Sequence, residues 1–333
     1  MKVLLYSEGL RIIGKSGIGK AIEHQKTALT YEGIAYTTDR RDDYDILHIN
    51  TWYPGSYLLA RHAKRQGKKI VYHAHSTEED YRNGFIFANQ TSKLIKWWLI
   101  RCYRLGDVII TPTVYSKHLL ESYRGLKQKK IYAVSNGVDP EQFRPIPEER
   151  SKFRNMHGFS DKDKVIIGIG LYIKRKGILD FVELARRLPE YHFIWFGYSP
   201  LITATAPVRK AVRTKPDNLT FAGYVEPEQI RAAMNGCDLF LFPTLEETEG
   251  IPVMEAMACH TPTLIRDIPV FADYLWDGVN IYKASSIDEF EDKITKILSG
   301  RLPDITGQYD PVTAKRDIHN IGKQLHEIYQ NVL

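Results

Sequence analysis

The sequence predicts an α/β protein built from two doubly wound parallel-sheet domains, and three observations carry that expectation. Short apolar runs, such as Lys2–Tyr6, Asp45–Asn50 and Lys69–His75, alternate with longer helical stretches, such as Ala21–Tyr31 and Ser56–Gln66; that rhythm belongs to parallel sheets with crossover helices. A Pro- and charge-rich stretch, Arg144–Arg150, follows the turn signals Asn136-Gly137 and Asp139-Pro140 and reads as linker surface. The alternation then restarts at Lys164–Gly170 and continues to the end of a 333-residue chain, long enough for two ordinary cores.

In the first half, strand Lys2–Tyr6 leads into a loop containing Gly14, Gly17 and Gly19, where glycines permit a tight strand-to-helix turn under a phosphate. The Lys15-Ser16 pair precedes the last two glycines instead of closing the loop, which disfavours a Walker-type triphosphatase. Asp107–Thr113 is a further strand, Ser116 is the expected cap of a helix Lys117–Arg124, and Ile131–Phe143 is a strand running into the interdomain connection. In the second half, strand Lys164–Gly170 is followed by Leu171-Tyr172-Ile173-Lys174-Arg175-Lys176-Gly177 and a helix Ile178–Leu188. His192–Gly197 and Leu219–Tyr224 are strands around a loop or short helix, 199–218, and Pro227–Asn235 is a helix. Cys237–Thr244, Thr263–Ile265 and Asn280–Tyr282 complete the sheet, Ile287–Leu298 is an amphipathic helix, and Pro311–Val332 is the last helix.

Composition is globular, with 43% hydrophobic and 26% charged residues. No apolar run approaches the roughly 20 residues that span a bilayer, and the acidic Glu8 ends the first strand too early for a signal peptide, so the expected location is the cytosol. Cys102, Cys237 and Cys259 lie far apart, without metal spacing, and are expected to be reduced thiols. The net charge of +6 is unevenly spread: residues 1–140 hold 22 Lys/Arg against 13 Asp/Glu, whereas the remainder holds 24 against 27. A basic first half implies an anionic surface as partner, lipid or nucleic acid.

Two stretches carry chemistry. In Glu246–Pro262 a strand feeds an acidic loop and then a helix; Gly250 admits close backbone approach and Pro252 suits a first helical turn. The amides of Gly250 and Ile251 at that helix start form an anion site, flanked by Glu247 and, seven intervening residues later, Glu255. Ionised carboxylates accept hydrogen bonds that sugar hydroxyls can supply, so a phosphorylated sugar fits, although an acidic loop also complements a helix dipole. The other stretch is Lys93–Leu105. At 100° per residue, Lys93, Lys96, Arg101 and Arg104 share one face with Trp97 and Ile100 among them, while Leu94, Ile95, Trp98, Leu99 and Tyr103 spread over the other. A Trp-rich basic helix of this kind suits a membrane surface, and an ordinary helix packed on the sheet is the plainer reading.

The segment Glu247-Thr248-Glu249-Gly250-Ile251-Pro252-Val253-Met254-Glu255-Ala256-Met257-Ala258-Cys259-His260-Thr261-Pro262 resembles the E-x7-E motif of retaining GT-B glycosyltransferases of family 4, with Thr248 and His260 where that motif usually has Gly. The glycine loop, the Ser135-Asn136-Gly137-Val138-Asp139…Phe143 run and the Lys176-Gly177 pair match further motifs in the same order. The resemblance implies a GT-B fold facing a cleft: residues 1–143 form an acceptor and membrane domain, 144–310 a nucleotide-sugar domain, and the helix from about 311 to 333 crosses back. It assigns Glu247 to the donor hexose and Glu255 to the ribose, with Gly17, Gly19, Gly250, Ile251, Arg175 and Lys176 on the diphosphate. Leu171 occupies the family's usual arginine position, so Arg175 is the expected substitute. His75, at a strand end ahead of Glu79-Asp80-Tyr81, takes the place of the histidine that faces the donor hexose, with His73 as the alternative.

With the Trp-rich helix, the pattern is similar to bacterial glycosyl-diacylglycerol (glycolipid) glycosyltransferases. The resemblance then implies a metal-independent, retaining hexosyltransferase without a cofactor. UDP-glucose or UDP-galactose would be the donor and a glycolipid such as glucosyl-diacylglycerol the acceptor, with the protein peripheral on the inner face of the membrane. Helix residues Lys93, Lys96, Trp97, Trp98, Arg101 and Arg104 would meet the membrane and acceptor. A polyprenyl-linked capsule or wall oligosaccharide is the alternative acceptor, and a GT-B sugar-nucleotide epimerase the alternative enzyme. A nucleic-acid-binding module fits the basic half but not the acidic loop.

Overall fold

The structure, a computed structural model, describes residues 1–10, 14, 16–82, 84 and 86–333. Lys15 of the glycine loop and Phe85, a candidate apolar residue upstream of the Trp-rich helix, lie outside the described residues. The chain divides into two compact units, the first comprising residues 1–81, 89–137 and 316–333, the second 82–88 and 138–315.

The first unit holds strands β1 (Lys2–Tyr6), β2 (Ala35–Thr37), β3 (Ile46–Ile49), β4 (Lys69–His73), β5 (Val108–Thr111) and β6 (Lys130–Ala133). All pair in parallel in the order β2-β1-β3-β4-β5-β6. Between them run helices α1 (Gly17–Tyr31), α2 (Pro54–Arg65), the single turn α3 (Glu78–Tyr81), α4 (Ala88–Tyr103) and α5 (Val114–Ser122). The second unit holds β7 (Val165–Ile169), β8 (His192–Phe196), β9 (Leu219–Gly223), β10 (Leu239–Phe242), β11 (Thr263–Arg266) and β12 (Tyr282–Ala284), parallel in the order β12-β11-β10-β7-β8-β9. Its helices are α6 (Pro147–His157), α7 (Ile178–Arg187), α8 (Ala206–Arg213), α9 (Pro227–Gly236), α10 (Ile251–Ala258), α11 (Ile287–Leu298) and α12 (Asp310–Lys315); the last helix, α13 (Ile318–Val332), belongs to the first unit.

Strands covered on both faces by helices are apolar on both faces, which is why the runs do not alternate. In the first sheet His48 pairs in register with Val71, so period-two alternation puts residues 46, 48 and 50 on the same face as 71, 73 and 75. That face carries Val3, Leu5, Ile46 and Val71 against Leu29 of α1 and Ile321, Leu325 and Tyr329 of α13. The other carries Leu4, Leu47, Ile70 and Tyr72 against Leu99, Cys102 and Tyr103 of α4. In the second unit Ile166, Phe193, Trp195, Leu239 and Leu241 close over Phe181 of α7 and Phe290 of α11.

Each sheet reverses direction once. In the second sheet the chain runs β7-β8-β9 outward and returns to place β10 on the other side of β7, so the loops after β7 and β10 diverge from neighbouring strand ends. Ligands of open α/β sheets gather at such switch points. In the first sheet the reversal falls between β1 and β3.

Several expectations from the sequence need correction. The helix after β5 begins earlier, at Val114, and Thr113 is its cap; Ser116 sits three residues on and completes a reciprocal capping box. The stretch after residue 143 is less of a linker than its prolines suggest, since Pro147 opens α6, whose Glu149 pairs with Arg231 of α9 at 2.6 Å. The final helix is two helices, because Asp317 accepts from the His319 amide at 2.9 Å and starts α13 anew. The short edge strand β2 was not anticipated. Gly17 and Gly19 lie in the first turn of α1 and not in the preceding loop. A Cβ on Gly19 would collide with the Gly14 carbonyl, so this glycine is required by the chain's own close approach, whereas Gly17 has open space around it.

Candidate active site

The second unit's site is built by the two loops at its switch point. After β7, a single 3₁₀ turn, Lys174–Lys176, ends at Gly177, whose φ is +75°; a Cβ there would also strike the Pro243 carbonyl. This tight meeting locks the β7 loop to the loop leaving β10. Two further bonds fasten them: Leu245 N–H and the Thr244 hydroxyl both donate to the Arg175 carbonyl, at 2.7 and 3.1 Å. The Lys176 ammonium then lies directly on the Glu247 carboxylate, Thr244 Oγ1 lies 3.1 Å from the same oxygen, its one proton shared between that oxygen and the Arg175 carbonyl, and Arg175 stands 3.8 Å from the other oxygen. Arg175 also donates to the Glu246 carbonyl at 2.8 Å.

Glu247 is 7% exposed, and burial by itself would raise its pKa; Lys176 first and Arg175 second outweigh that and hold it below the usual carboxylate value. The carboxylate is therefore ionised at neutral pH, and the cluster of two cations and one anion keeps a surplus positive charge. Gly250 caps α10 at φ +90°, with Pro252 in the first turn, so the helix starts directly after the loop that carries Glu247. Glu255 follows in the second turn of α10 and is 5% exposed. The structure thus brings Arg175, Lys176 and Glu247 together in direct contact, with Gly250, Ile251 and Glu255 following on the same loop and helix.

Two supporting residues escaped the sequence reading. Thr244 fixes both loops. Arg266, buried on β11, donates to the Pro243 carbonyl at 3.1 Å and to the Ser285 carbonyl at 3.0 Å and pairs with Asp180 of α7, bracing the loop that carries Glu247 from beneath. A threonine closing a strand before an acidic loop was a visible signal for the first; nothing local marked the second.

In the first unit, His75 lies two residues beyond the end of β4, 7% exposed, its ring stacked on that of His73 at 4.0 Å. Its Nε2 is 2.9 Å from Asn50 Oδ1. Burial pushes His48 and His75 down to about 3 and His73 well below its ordinary value, so all three rings are neutral. His73 is the last residue of β4 and 2% exposed, and His75 lies just beyond it on the same face.

The Asn136-Gly137 run marks the point where the chain leaves the first unit. Gly137 has φ +82° and lies against Ile321, and the Asn136 carbonyl is 3.1 Å from His24 Nδ1.

Helix α4 presents Lys93, Leu94, Trp97 and Arg101 outward, with the exposed Arg104 in the turn just after it; Leu94 is 63% and Trp97 53% exposed, and the Arg101 guanidinium lies 4.9 Å over the Trp97 ring. Leu94 is thus on the outer face, contrary to the helical-wheel expectation. Lys96 turns inward, pairing with the buried Glu78 at 2.9 Å and lying 4.0 Å over the Tyr123 ring. Trp98 is half-buried and donates its indole N–H to the Trp52 carbonyl at 2.7 Å. The wheel placed Lys96 with the exposed bases because it could not see that Glu78, on the segment following His75, needs a cation. Among the described residues no helix is long and apolar enough to cross a membrane.

Comparison with known proteins agrees with this architecture. Residues 149–309 match the model for glycosyl transferases group 1, and residues 29–142 that for glycosyltransferase family 4. The chain is 39% identical over its whole length to the processive diacylglycerol alpha-glucosyltransferase of Acholeplasma laidlawii, covering 99% of that protein. It is 26% identical over 81% of its length to the alpha-galactosylglucosyldiacylglycerol synthase of Streptococcus pneumoniae, covering 73% of that protein. Among solved structures, Anabaena HepE in complex with UDP and glucose superposes with a TM-score of 0.78 at 17% identity, covering 99% of this chain and 100% of that one, a likeness of fold. Two parallel six-stranded sheets, the acidic and cationic loops at the second sheet's switch point and the full-length relative together establish that this chain belongs to the GT-B glycosyltransferases of family 4.

Proposed function

We propose that the protein transfers glucose or galactose from its UDP-sugar to a diacylglycerol-based lipid, retaining the anomeric configuration. The observation that carries this reading is the Arg175–Lys176–Glu247 cluster at a strand-end switch point, followed by the α10 amides and Glu255. Its surplus positive charge suits a diphosphate, and a buried, ionised Glu247 supplies an acceptor for hexose hydroxyls. Glu255, on the second turn of the same helix, is the candidate for the ribose. As the donor bond breaks, Lys176, Arg175 and the helix start stabilise charge on the leaving diphosphate without help from a metal. The acceptor hydroxyl attacks from the same face, and the departing phosphate takes its proton. His75, neutral and two residues beyond β4, is the candidate group beside the hexose. The A. laidlawii and S. pneumoniae relatives support a diacylglycerol-based acceptor such as glucosyl-diacylglycerol, and the first favours glucose as the sugar moved. The outward face of α4, with Trp97 and Leu94 between Lys93 and Arg101 and with Arg104 just beyond its end, suits an anionic membrane, and we place the protein peripherally on the cytoplasmic side.

The test incubates the purified protein with UDP-glucose or UDP-galactose and either diacylglycerol or glucosyl-diacylglycerol in vesicles containing anionic lipid. Mass and anomeric proton coupling are then read on the product. An α-linked glycolipid is expected. Interconversion of the nucleotide sugars without lipid glycosylation, or a β-linked product, would refute the proposal.

A further inference from the structure

The first unit contains a buried polar chain that the reaction above does not explain. Gln25 on α1 and Asn50, just past β3, face each other as a reciprocal amide pair. Gln25 Nε2 donates to Asn50 Oδ1 at 2.8 Å, and Asn50 Nδ2 donates to Gln25 Oε1 at 2.9 Å. The same Gln25 nitrogen lies 2.9 Å from His73 Nδ1, and His48 Nε2 lies 3.2 Å from that atom. On its far side, His48 Nδ1 meets the Tyr329 hydroxyl of α13 at 2.6 Å. At the other end, Asn50 Oδ1 is 2.9 Å from His75 Nε2. Every side chain here is essentially buried, in a setting where a polar group held without its partner would cost roughly 1–3 kcal/mol.

The directions are linked. An amide NH₂ only donates and an amide oxygen only accepts, so one group's orientation dictates its neighbour's. With Gln25 presenting NH₂ to His73 Nδ1, that nitrogen accepts, His48 donates through Nε2, and Tyr329 donates to His48 Nδ1. Asn50 must then present its oxygen to His75 at 2.9 Å, where two acceptors would face each other unless His75 carries its proton on Nε2. The amide orientation is an assignment: turning both amides over gives the mirror network, with the proton on His75 Nδ1, whereas the orientation above puts the His73 proton on Nε2, which is buried without a partner among the described residues.

We propose that Asn50 and Gln25 are positioning residues that hold His75 as the Nε2–H tautomer. Nδ1 then bears the lone pair and accepts a hydrogen bond from a donor-sugar hydroxyl. The role rests on the reading that His75 meets the hexose; the tautomer does not. A ring held this way is already an acceptor before substrate arrives, with no proton to relocate. No charged group takes part, which agrees with three rings that burial keeps neutral.

The test is ¹⁵N NMR of histidine-labelled whole protein at pH 7, together with UDP-glucose kinetics. In the unmodified protein His75 should show a pyrrole-type Nε2 and a pyridine-type Nδ1. Asn50→Ala should turn this into a tautomer mixture and lower kcat at least roughly tenfold, the scale at which imidazole-orienting partners act, with KM little changed. In a His75→Ala background the same substitution should add nothing, because Asn50 acts through that ring. Asn50→Asp, a milder change if the alanine variant folds poorly, should keep the tautomer and move the acid limb of the kcat profile to higher pH, since a carboxylate favours the imidazolium. The reversed network, with the proton on Nδ1 of His75, would overturn the proposal, as would an undiminished loss from Asn50→Ala in the His75→Ala background. Full turnover by His75→Ala with the expected tautomer would instead remove the reading on which the catalytic role rests.

Discussion

Replacing Lys176 by methionine tests the electrostatic core of the donor site. The wild-type side chains of Lys176 and Glu247 are 18% and 8% exposed, so the substitution strands a nearly buried carboxylate. Breaking such a pair from one side costs about 3–5 kcal/mol when nothing else compensates. Here Arg175 remains 3.8 Å away and Thr244 Oγ1 still lies at 3.1 Å, so about 2–3 kcal/mol is the expected loss for the second unit. The pH dependence has a definite sign. Glu247 has a folded-state pKa below its ordinary 4.5, so its contribution is complete above that value and is lost as pH falls through the lower one. Without Lys176, burial pushes the carboxyl up, so the folded state takes up a proton more readily than the unfolded one and the variant's deficit is largest at neutral pH and shrinks as pH falls. Denaturant unfolding at pH 7 and pH 5 measures both effects, and titration calorimetry with UDP measures the ligand. Lys176→Met should unfold more readily, less so at pH 5 than at pH 7, and bind UDP at least tenfold more weakly, about 1.4 kcal/mol. Adding Glu247→Gln should restore part of the stability but not the UDP affinity. Strictly additive stability losses in the double variant, or unchanged UDP binding in Lys176→Met, would refute the reasoning.

Glu255→Ala should chiefly raise the UDP dissociation constant and His75→Ala chiefly lower turnover, read by calorimetry and by initial rates; equal activity in both would contradict the assignments. The first unit should lose stability below about pH 6.5, because the unfolded chain takes up protons that His48 and His75 refuse until about 3. Each imidazole contributes about 1.4 kcal/mol per pH unit in that window, and unfolding midpoints from pH 7 to 5 would show it. Gly177→Ala meets both a positive φ and the Pro243 carbonyl, so it should destabilise the second unit by more than about 1 kcal/mol and weaken UDP binding. Trp97→Ala with Arg101→Glu should abolish sedimentation with anionic vesicles while leaving the melting temperature within a few degrees; unchanged sedimentation would remove α4 from the membrane surface.

The sequence by itself determined the alternation of strands and helices, the two-unit plan and the loops that carry the candidate site residues. These are local signals: apolar runs of strand length, Gly250 and Pro252 at a helix start, Asn136-Gly137 at a turn. It also named Lys176, Glu247 and His75, whose residue types and strand-end positions are visible without coordinates. Tertiary structure alone decided who touches whom. That Glu247 is ionised because Lys176 and Arg175 outweigh its burial depends on two loops 71 residues apart meeting at a switch point. That Lys96 faces inward depends on Glu78, which a helical wheel cannot include. Which nitrogen of His75 is free depends on Gln25, Asn50, His73, His48 and Tyr329, drawn from across the first unit by strand register and by the return of the last helix. Pattern along the chain reports backbone propensity and burial, whereas the charge state and hydrogen-bond direction of a buried group are set by neighbours that only folding supplies.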